Sequence, residues 1–348
     1  MPMQRNAYKY PSANVKGSMN NGLFVEMWYF ELYDEVNQVE FAIMCCIDNP
    51  ANSRFGKIFG FARSSDIMCC VAFDDRRNAE NDMYFPTFDA NEDVLRVNIG
   101  DAVFLEAIDD QTIHLHGESK GVGCNFDLQF TRDFPELDAM KTVISKRKND
   151  NFWFYANMPR ARVTGTVTMD GETRSVDCHG YHDHDWGSPT KIAWSPWSVA
   201  TGDDFGIVTY TSDRKYGNVF LFFDGGWKTF PLPSMRVIST KECMYKGKGN
   251  EDVHYQRPTT IALMVEKDGL RLEYVIKERD GDKCFLLDYG LEKKQKAVHA
   301  PATIAVNYLT TGKIYKNNVV VKEFHDVNTS FQWYECMDYF KYIKFLLF

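Results

Sequence analysis

Asp170-Gly171 stands between two runs of side chains, and this arrangement restricts the centre of the chain to an antiparallel hairpin. Residues 163–169 (VTGTVTM) alternate ahead of the dipeptide, and residues 174–181 can return as the partner strand. An Asp-Gly pair readily adopts the two positive-φ conformations of a two-residue hairpin turn, whose twist matches that of the flanking strands. If the return strand stays extended to Gly187, its side chains project alternately to two faces. His182, His184 and Trp186 then share one face, and Tyr181, Asp183 and Asp185 the other. Burying an unsatisfied neutral polar group costs about 2–7 kcal/mol. A segment this rich in imidazole and carboxyl is therefore expected to be exposed or networked.

The same punctuation runs through the rest of the chain. Residues 23–33 and 38–47 read as strands around a turn, and further strands are predicted at 57–63, 67–73, 94–97, 102–107, 112–117 and 125–131. The second half repeats the pattern at 206–211, 218–223, 260–266, 271–276, 284–289, 303–309 and 319–323, with turns at Asp224-Gly225-Gly226 and Asp268-Gly269. Short strands at this spacing fit antiparallel barrels or sandwiches and not βαβ units. A length of 348 residues suggests two domains. The pattern breaks over residues 134–150, which predicts domains at 1–148 and 149–348, the second carrying the His/Asp segment. The aromatic end, 333–348, reads as a short final helix or strand, with a peripheral membrane contact as the alternative.

A net charge of −8, with only the short clusters Lys146-Arg147-Lys148 and Lys293-Lys294-Gln295-Lys296, argues against a nucleic-acid partner. Nine cysteines, with adjacent pairs at 45–46 and 69–70 and no C-x-x-C, read as reduced core residues. The polar start shows no secretory signal, and no run of about 18 apolar residues occurs, so a cytoplasmic location is expected.

Several chemistries lack their motifs. There is no G-x-S-x-G elbow, no Gly-rich phosphate loop and no fingerprint of nicotinamide, flavin or haem, so no cofactor is expected. His179, His182 and His184 do not form a zinc triad on a strand, because His179 faces away from the other two; His114 and His116 read as exposed strand residues. No metal is expected. Acid/base or templating chemistry in an aromatic cavity remains, and 26 Phe, 18 Tyr and 7 Trp can line one. Aromatic faces stabilise a cation by about 0.5–2 kcal/mol each. A carboxylic acid kept protonated by apolar surroundings can supply the proton that creates that cation. The candidate catalytic groups are His184, Asp185, Asp183, Asp213 and Tyr210. The candidate substrate-binding residues are Trp186, Glu26, Trp28, Tyr181, His182, Trp194 and Trp197. Glu26 shares a face with Phe24, Trp28 and Phe30, and is read either as a strand-end carboxylate paired with an arginine or as a pocket acid of raised pKa.

Residues 24–30 (FVEMWYF) resemble the early E-x-W-Y-F motif of the lipocalin-like carotenoid 1,2-hydratase (hydroxyneurosporene synthase)/AttH family. Residues 159–167 (PRARVTGTV) and 180–187 (GYHDHDWG) resemble its central D-H-x-W-G signature. Fungal decalin-forming Diels–Alderases look like distant members, and plant tocopherol cyclase is similar in the early motif. The resemblance implies two tandem lipocalin-like β-barrel domains with a ligand pocket near their junction, working without a cofactor on a hydrophobic polyene or terpenoid. In the hydratases an H-x-W pair and a downstream Tyr-x-Asp are implicated. His184 and Trp186 match the first; in the second, Tyr210 is followed by Ser212 where the acid would stand, with Asp213 one residue later. A cyclase or isomerase is the leading expectation, and a hydratase, a pericyclase or a non-catalytic lipid binder are the alternatives.

Overall fold

The structure is a computed structural model, and it describes residues 25–48, 64–85, 88–90, 95–138, 151–188, 191–192, 194–212, 216–231, 233–246, 251–279, 283–288, 291–293, 296–298, 301–334 and 337–338. Every regular element among them is a β-strand. The chain divides into two compact units, Met1–Thr190 and Lys191–Phe348.

The first unit holds β1 (Val25–Asp34), β2 (Val39–Asp48), β3 (Ser64–Phe73), β4 (Arg76–Phe85), β5 (Phe88–Ala90), β6 (Arg96–Ile99), β7 (Val103–Ala107), β8 (Thr112–Ser119), β9 (Cys124–Arg132), β10 (Leu137–Asp138), β11 (Asn151–Met169) and β12 (Glu172–Ser188). They form one sheet in the order β4-β3-β2-β1-β12-β11-β9-β8-β7-β6-β5, with β10 also paired to β11. The last strand thus lies between the first and β11. Alternation explains the buried face: in β9, Cys124, Phe126, Leu128 and Phe130 point in while Asn125, Asp127, Gln129 and Thr131 are outside or partly so. Asp170 and Gly171 take φ values of 51° and 82°, the left-handed pair that lets β11 reverse into β12 in two residues.

The sheet curls over its own core. On β4, Glu80 accepts a hydrogen bond from the Ser119 hydroxyl at the end of β8 (2.6 Å), and the Asn78 amide donates to the Val122 carbonyl (3.3 Å). Between these flanks, Trp28, Phe30, Phe41, Leu115, Phe130 and Tyr155 pack in one cluster. Cys45 and Cys69 belong to it, whereas their neighbours Cys46 and Cys70 are buried outside it, as expected of adjacent strand residues.

The second unit builds a ten-stranded sheet on the same plan. Its early strand Trp194–Thr201 pairs with its late strand Val319–Tyr334, as β1 pairs with β12. The turns at Asp224-Gly225 (φ 53° and 76°) and Asp268-Gly269 (φ 51° and 75°) fall where the sequence put them. Its core includes Phe205, Ile207, Phe230, Tyr255, Tyr274 and Trp333. Arg257, with no exposed surface, donates to Glu278 (2.6 Å) and to the Tyr308 hydroxyl (2.7 Å).

Two expectations change. The boundary expected at 148/149 falls at 190/191, because β11 and β12 pair with β9 and β1, so the His/Asp segment belongs to the first unit. Strands β4 and Ser234–Lys246 were not foreseen: the first opens on charged and polar residues, and only Cys243 is buried in the second. Met337–Asp338 forms a short strand with Lys191–Ile192. The strand expected at 57–63 and residues 339–348 lie outside the described residues. No helix among the described residues is long and apolar enough to cross a membrane.

Candidate functional site

The His/Asp segment runs along β12 with β1 beside it. The register sets Met27 opposite Asp185, Trp28 opposite His184, Tyr29 opposite Asp183, Phe30 opposite His182 and Glu31 opposite Tyr181. Cross-strand partners share a face, so the alternation read from sequence carries through to two separate sets of side chains.

One set faces the core of the first unit. His184 Nε2 lies 2.6 Å from Glu26 Oε1, and each side chain is 1% exposed. The Trp28 ring stacks on the His184 imidazole, with centroids 5.1 Å apart and planes within 7°. Phe30 stacks on His182 at 4.0 Å and 9°. His182 donates through Nδ1–H to the Tyr29 carbonyl at 2.9 Å, and burial pushes its pKa down to about 3, so it is neutral at physiological pH. Glu26 therefore has an imidazole beside it, where sequence offered an arginine or an apolar pocket. Because strand alternation turns Asp183 and Asp185 away from His184, the acid beside that histidine is Glu26, 158 residues distant in the chain.

The other set is acidic. The Tyr29 hydroxyl donates to Glu31 Oε2 at 2.6 Å, and the Tyr181 hydroxyl donates to Asp183 Oδ2 at 2.7 Å. Asp183 is 3% and Asp185 6% exposed. Among the described residues neither forms an ion pair with a basic side chain, and Oδ1 of each is buried without a hydrogen-bond partner. Burial pushes the Asp183 carboxyl up to about 8 despite the opposing hydrogen bond from Tyr181. Asp185 is raised well above the ordinary carboxylate range, first by burial and then by the charge of Asp183. Burial also raises the Tyr181 phenol, with Asp183, Asp185 and Glu31 adding to it. Met27, Met44 and Phe154, cross-strand partners on this face, are buried outside the core cluster. The sheet is therefore buried on both sides here, and burial favours the protonated form of the two aspartates on this side.

The remaining candidates lie elsewhere. Trp197 and Tyr210, 3% and 2% exposed, pair across strands of the second unit. Asp213 and the side chains of Trp186 and Trp194 lie outside the described residues; the backbone of Trp186 pairs with Glu26 and Trp153. His114 stacks on His116 (4.6 Å) and lies 2.7 Å from Asp127. Sequence reasoning passed over Tyr29 and Glu31. The signal was present, since both alternate with Glu26, Trp28 and Phe30 and so had to share the opposite face.

Neither a protein-family model nor a curated protein matches this sequence. Solved structures do match. A protein provisionally designated AttH from Nitrosomonas europaea superposes with a TM-score of 0.61 at 12% identity, covering 96% of each chain. CghA gives 0.56 at 12% identity over 89% of this chain and 88% of its own. Kievitone hydratase from Nectria haematococca gives 0.53 at 14% identity over 96% and 97%. The chain shares their lipocalin-like, two-unit β fold. At these identities the likeness is one of fold, and the lipocalin-like units carry this chain's own set of side chains at the β1/β12 pair.

Proposed function

We propose that this lipocalin-like protein is a cofactor-independent enzyme that protonates a hydrophobic small molecule, a polyene or terpenoid, and lets the resulting cation isomerise or close a ring. The observation that carries the reading is the Asp183–Asp185 pair, two buried carboxyls on one strand face without a cationic partner among the described residues. A carboxylic acid kept neutral at pH 7 by its surroundings is a competent proton donor. The acid gives its proton to an alkene carbon, leaving a carboxylate beside the carbocation. The cation then loses a proton from a neighbouring carbon to that carboxylate, so the product has the mass of the substrate and the acid is restored. Tyr181, donating to Asp183 Oδ2, orients the carboxyl and steadies its anion. Met27, Met44 and Phe154 supply an apolar and deformable wall. His184 with Glu26 and Trp28 holds β12 to β1 from the core side.

That one neighbour in fold is named a hydratase supports an enzyme of this general type. The test is incubation of the purified protein with a panel of polyene and terpenoid precursors, followed by extraction and mass spectrometry. A product of unchanged mass is expected, with Asp185→Asn and Asp183→Asn each lowering turnover by about 100-fold or more. Gain of one water would make the protein a hydratase that uses the same acid. A ligand recovered unaltered would make it a carrier and end the acid reading. Unchanged rates in both variants would leave only templated ring closure.

A further inference from the structure

On the acidic face of β12 every second residue carries a titratable group from the buried end outward: Asp185, Asp183, Tyr181, His179. The first three are buried and only the last reaches solvent. Asp185, Asp183 and Tyr181 are 6%, 3% and 3% exposed, whereas the His179 side chain is 54% exposed and sits 3.2 Å from Asp133 and 3.0 Å from Arg160. Alternate residues of a strand are about 7 Å apart, a gap that a tyrosine spans to a carboxyl on its own strand but that two aspartates do not. Strand β1 fills the intervals. Glu31 lies opposite Tyr181 and Tyr29 opposite Asp183. Tyr29 donates to Glu31 at 2.6 Å while Tyr181 donates to Asp183 at 2.7 Å, and the two phenol rings lie 6.4 Å apart at 55°. Each tyrosine thus bonds a carboxyl on its own strand and stands beside the carboxyl of the other. The two strands together present hydroxyl and carboxyl groups in alternation, leading from the surface to the buried pair.

We propose that this two-strand ladder is a proton path, running from solvent at His179 through Glu31 and Tyr181 to the Asp183–Asp185 pair. The inference rests on the reading of that pair as the reacting acid, and it assigns positioning roles to Tyr181 and Glu31. In one transfer Tyr181 passes its phenolic proton to the Asp183 carboxylate and takes a proton from the Glu31 carboxyl beside it. No phenolate accumulates, and Glu31 is left ionised until solvent at the His179 end returns a proton to it. The isomerisation itself returns a proton to the acid, so the path serves to load the acid from solvent and to reload it whenever its proton is lost there.

The test needs no substrate. The full chain, labelled with carbon-13 aspartate, is moved from water into deuterium oxide near pH 7, and infrared spectroscopy follows the carbonyl band of protonated carboxyls. The wild type is expected to show such a band, removed by Asp183→Asn or Asp185→Asn, that shifts rapidly on deuteration. Tyr181→Phe and Glu31→Gln are each expected to slow that shift by about tenfold or more. A merely loosened structure would exchange faster, so slowing cannot arise from lost packing. A band present in the wild type whose exchange is as fast in both variants overturns the path and leaves the acid standing. No protonated aspartate band near pH 7 overturns the acid itself, and the path with it.

Discussion

Replacing Asp183 by asparagine should stabilise the protein, and by an amount that grows with pH. The folded chain keeps a proton on this carboxyl up to about pH 8, whereas the unfolded chain releases it near 3.8. Between those values the folded state binds more protons, so its stability falls as pH rises; it is fully present below 3.8 and lost by the time pH passes 8. Each pH unit in that window removes about 1.4 kcal/mol, which over about four units amounts to about 6 kcal/mol. The pair titrates as a unit and Asp185 remains in the variant, so a gain of about 3–6 kcal/mol is expected near pH 8.5 and about 1 kcal/mol or less near pH 4.5. Asparagine keeps an oxygen to accept from Tyr181 and puts an amide where Asp183 Oδ1 has no partner among the described residues. Urea unfolding of wild type and Asp183→Asn at a series of pH values measures the difference directly. A difference that stays constant from pH 5 to 8.5, or a wild type that gains stability over that range relative to the variant, would refute the claim that burial holds this acid protonated.

Other outcomes follow from the same geometry. Turnover should be greatest below about pH 8 and decline above it as the Asp183–Asp185 pair ionises, a profile that Asp183→Asn should alter. His184→Ala should cost about 3–5 kcal/mol in unfolding experiments, because it leaves the Glu26 carboxylate buried without its imidazole. Arg257→Ala should cost a similar amount by the same logic, since Glu278 and Tyr308 lose the guanidinium between them. Gly180→Ala would place a methyl 2.5 Å from the Glu31 carbonyl oxygen and 2.7 Å from Val163 Cγ2. A loss of about 1–3 kcal/mol, seen as a melting temperature lower by several degrees, is expected.

Local signals made much of this architecture legible. Asp170-Gly171, Asp224-Gly225 and Asp268-Gly269 each mark a turn that the chain makes, because positive φ is a property of two residues and needs no partner. Alternation likewise placed Tyr181, Asp183 and Asp185 on one face. It could not say that this face is buried, since burial depends on what lies over it. The partner of Glu26 was hidden for a related reason: the register of β1 against β12 is set by the whole intervening sheet. The boundary was misplaced because a charged loop before Asn151 looks like a linker, while the pairing of β11 and β12 with β9 and β1 is a long-range fact. Strand β4 was missed since its charges find partners far away in sequence, Arg77 with Glu40 and Glu80 with Ser119, that make a polar strand viable.

Because β12 is the strand that slots in beside β1, the earliest part of the sheet is finished by the latest. A ribosome adding about 5–20 residues per second makes Glu26 and then takes roughly 8–30 seconds to cover the 158 positions to His184. Throughout that interval one edge of β1, with Trp28, Phe30 and the future acid's neighbours, has no strand to pair with. The nascent chain is most exposed to misassociation for that whole time, and a chaperone that shields the first 34 residues would do most to raise the yield of folded protein.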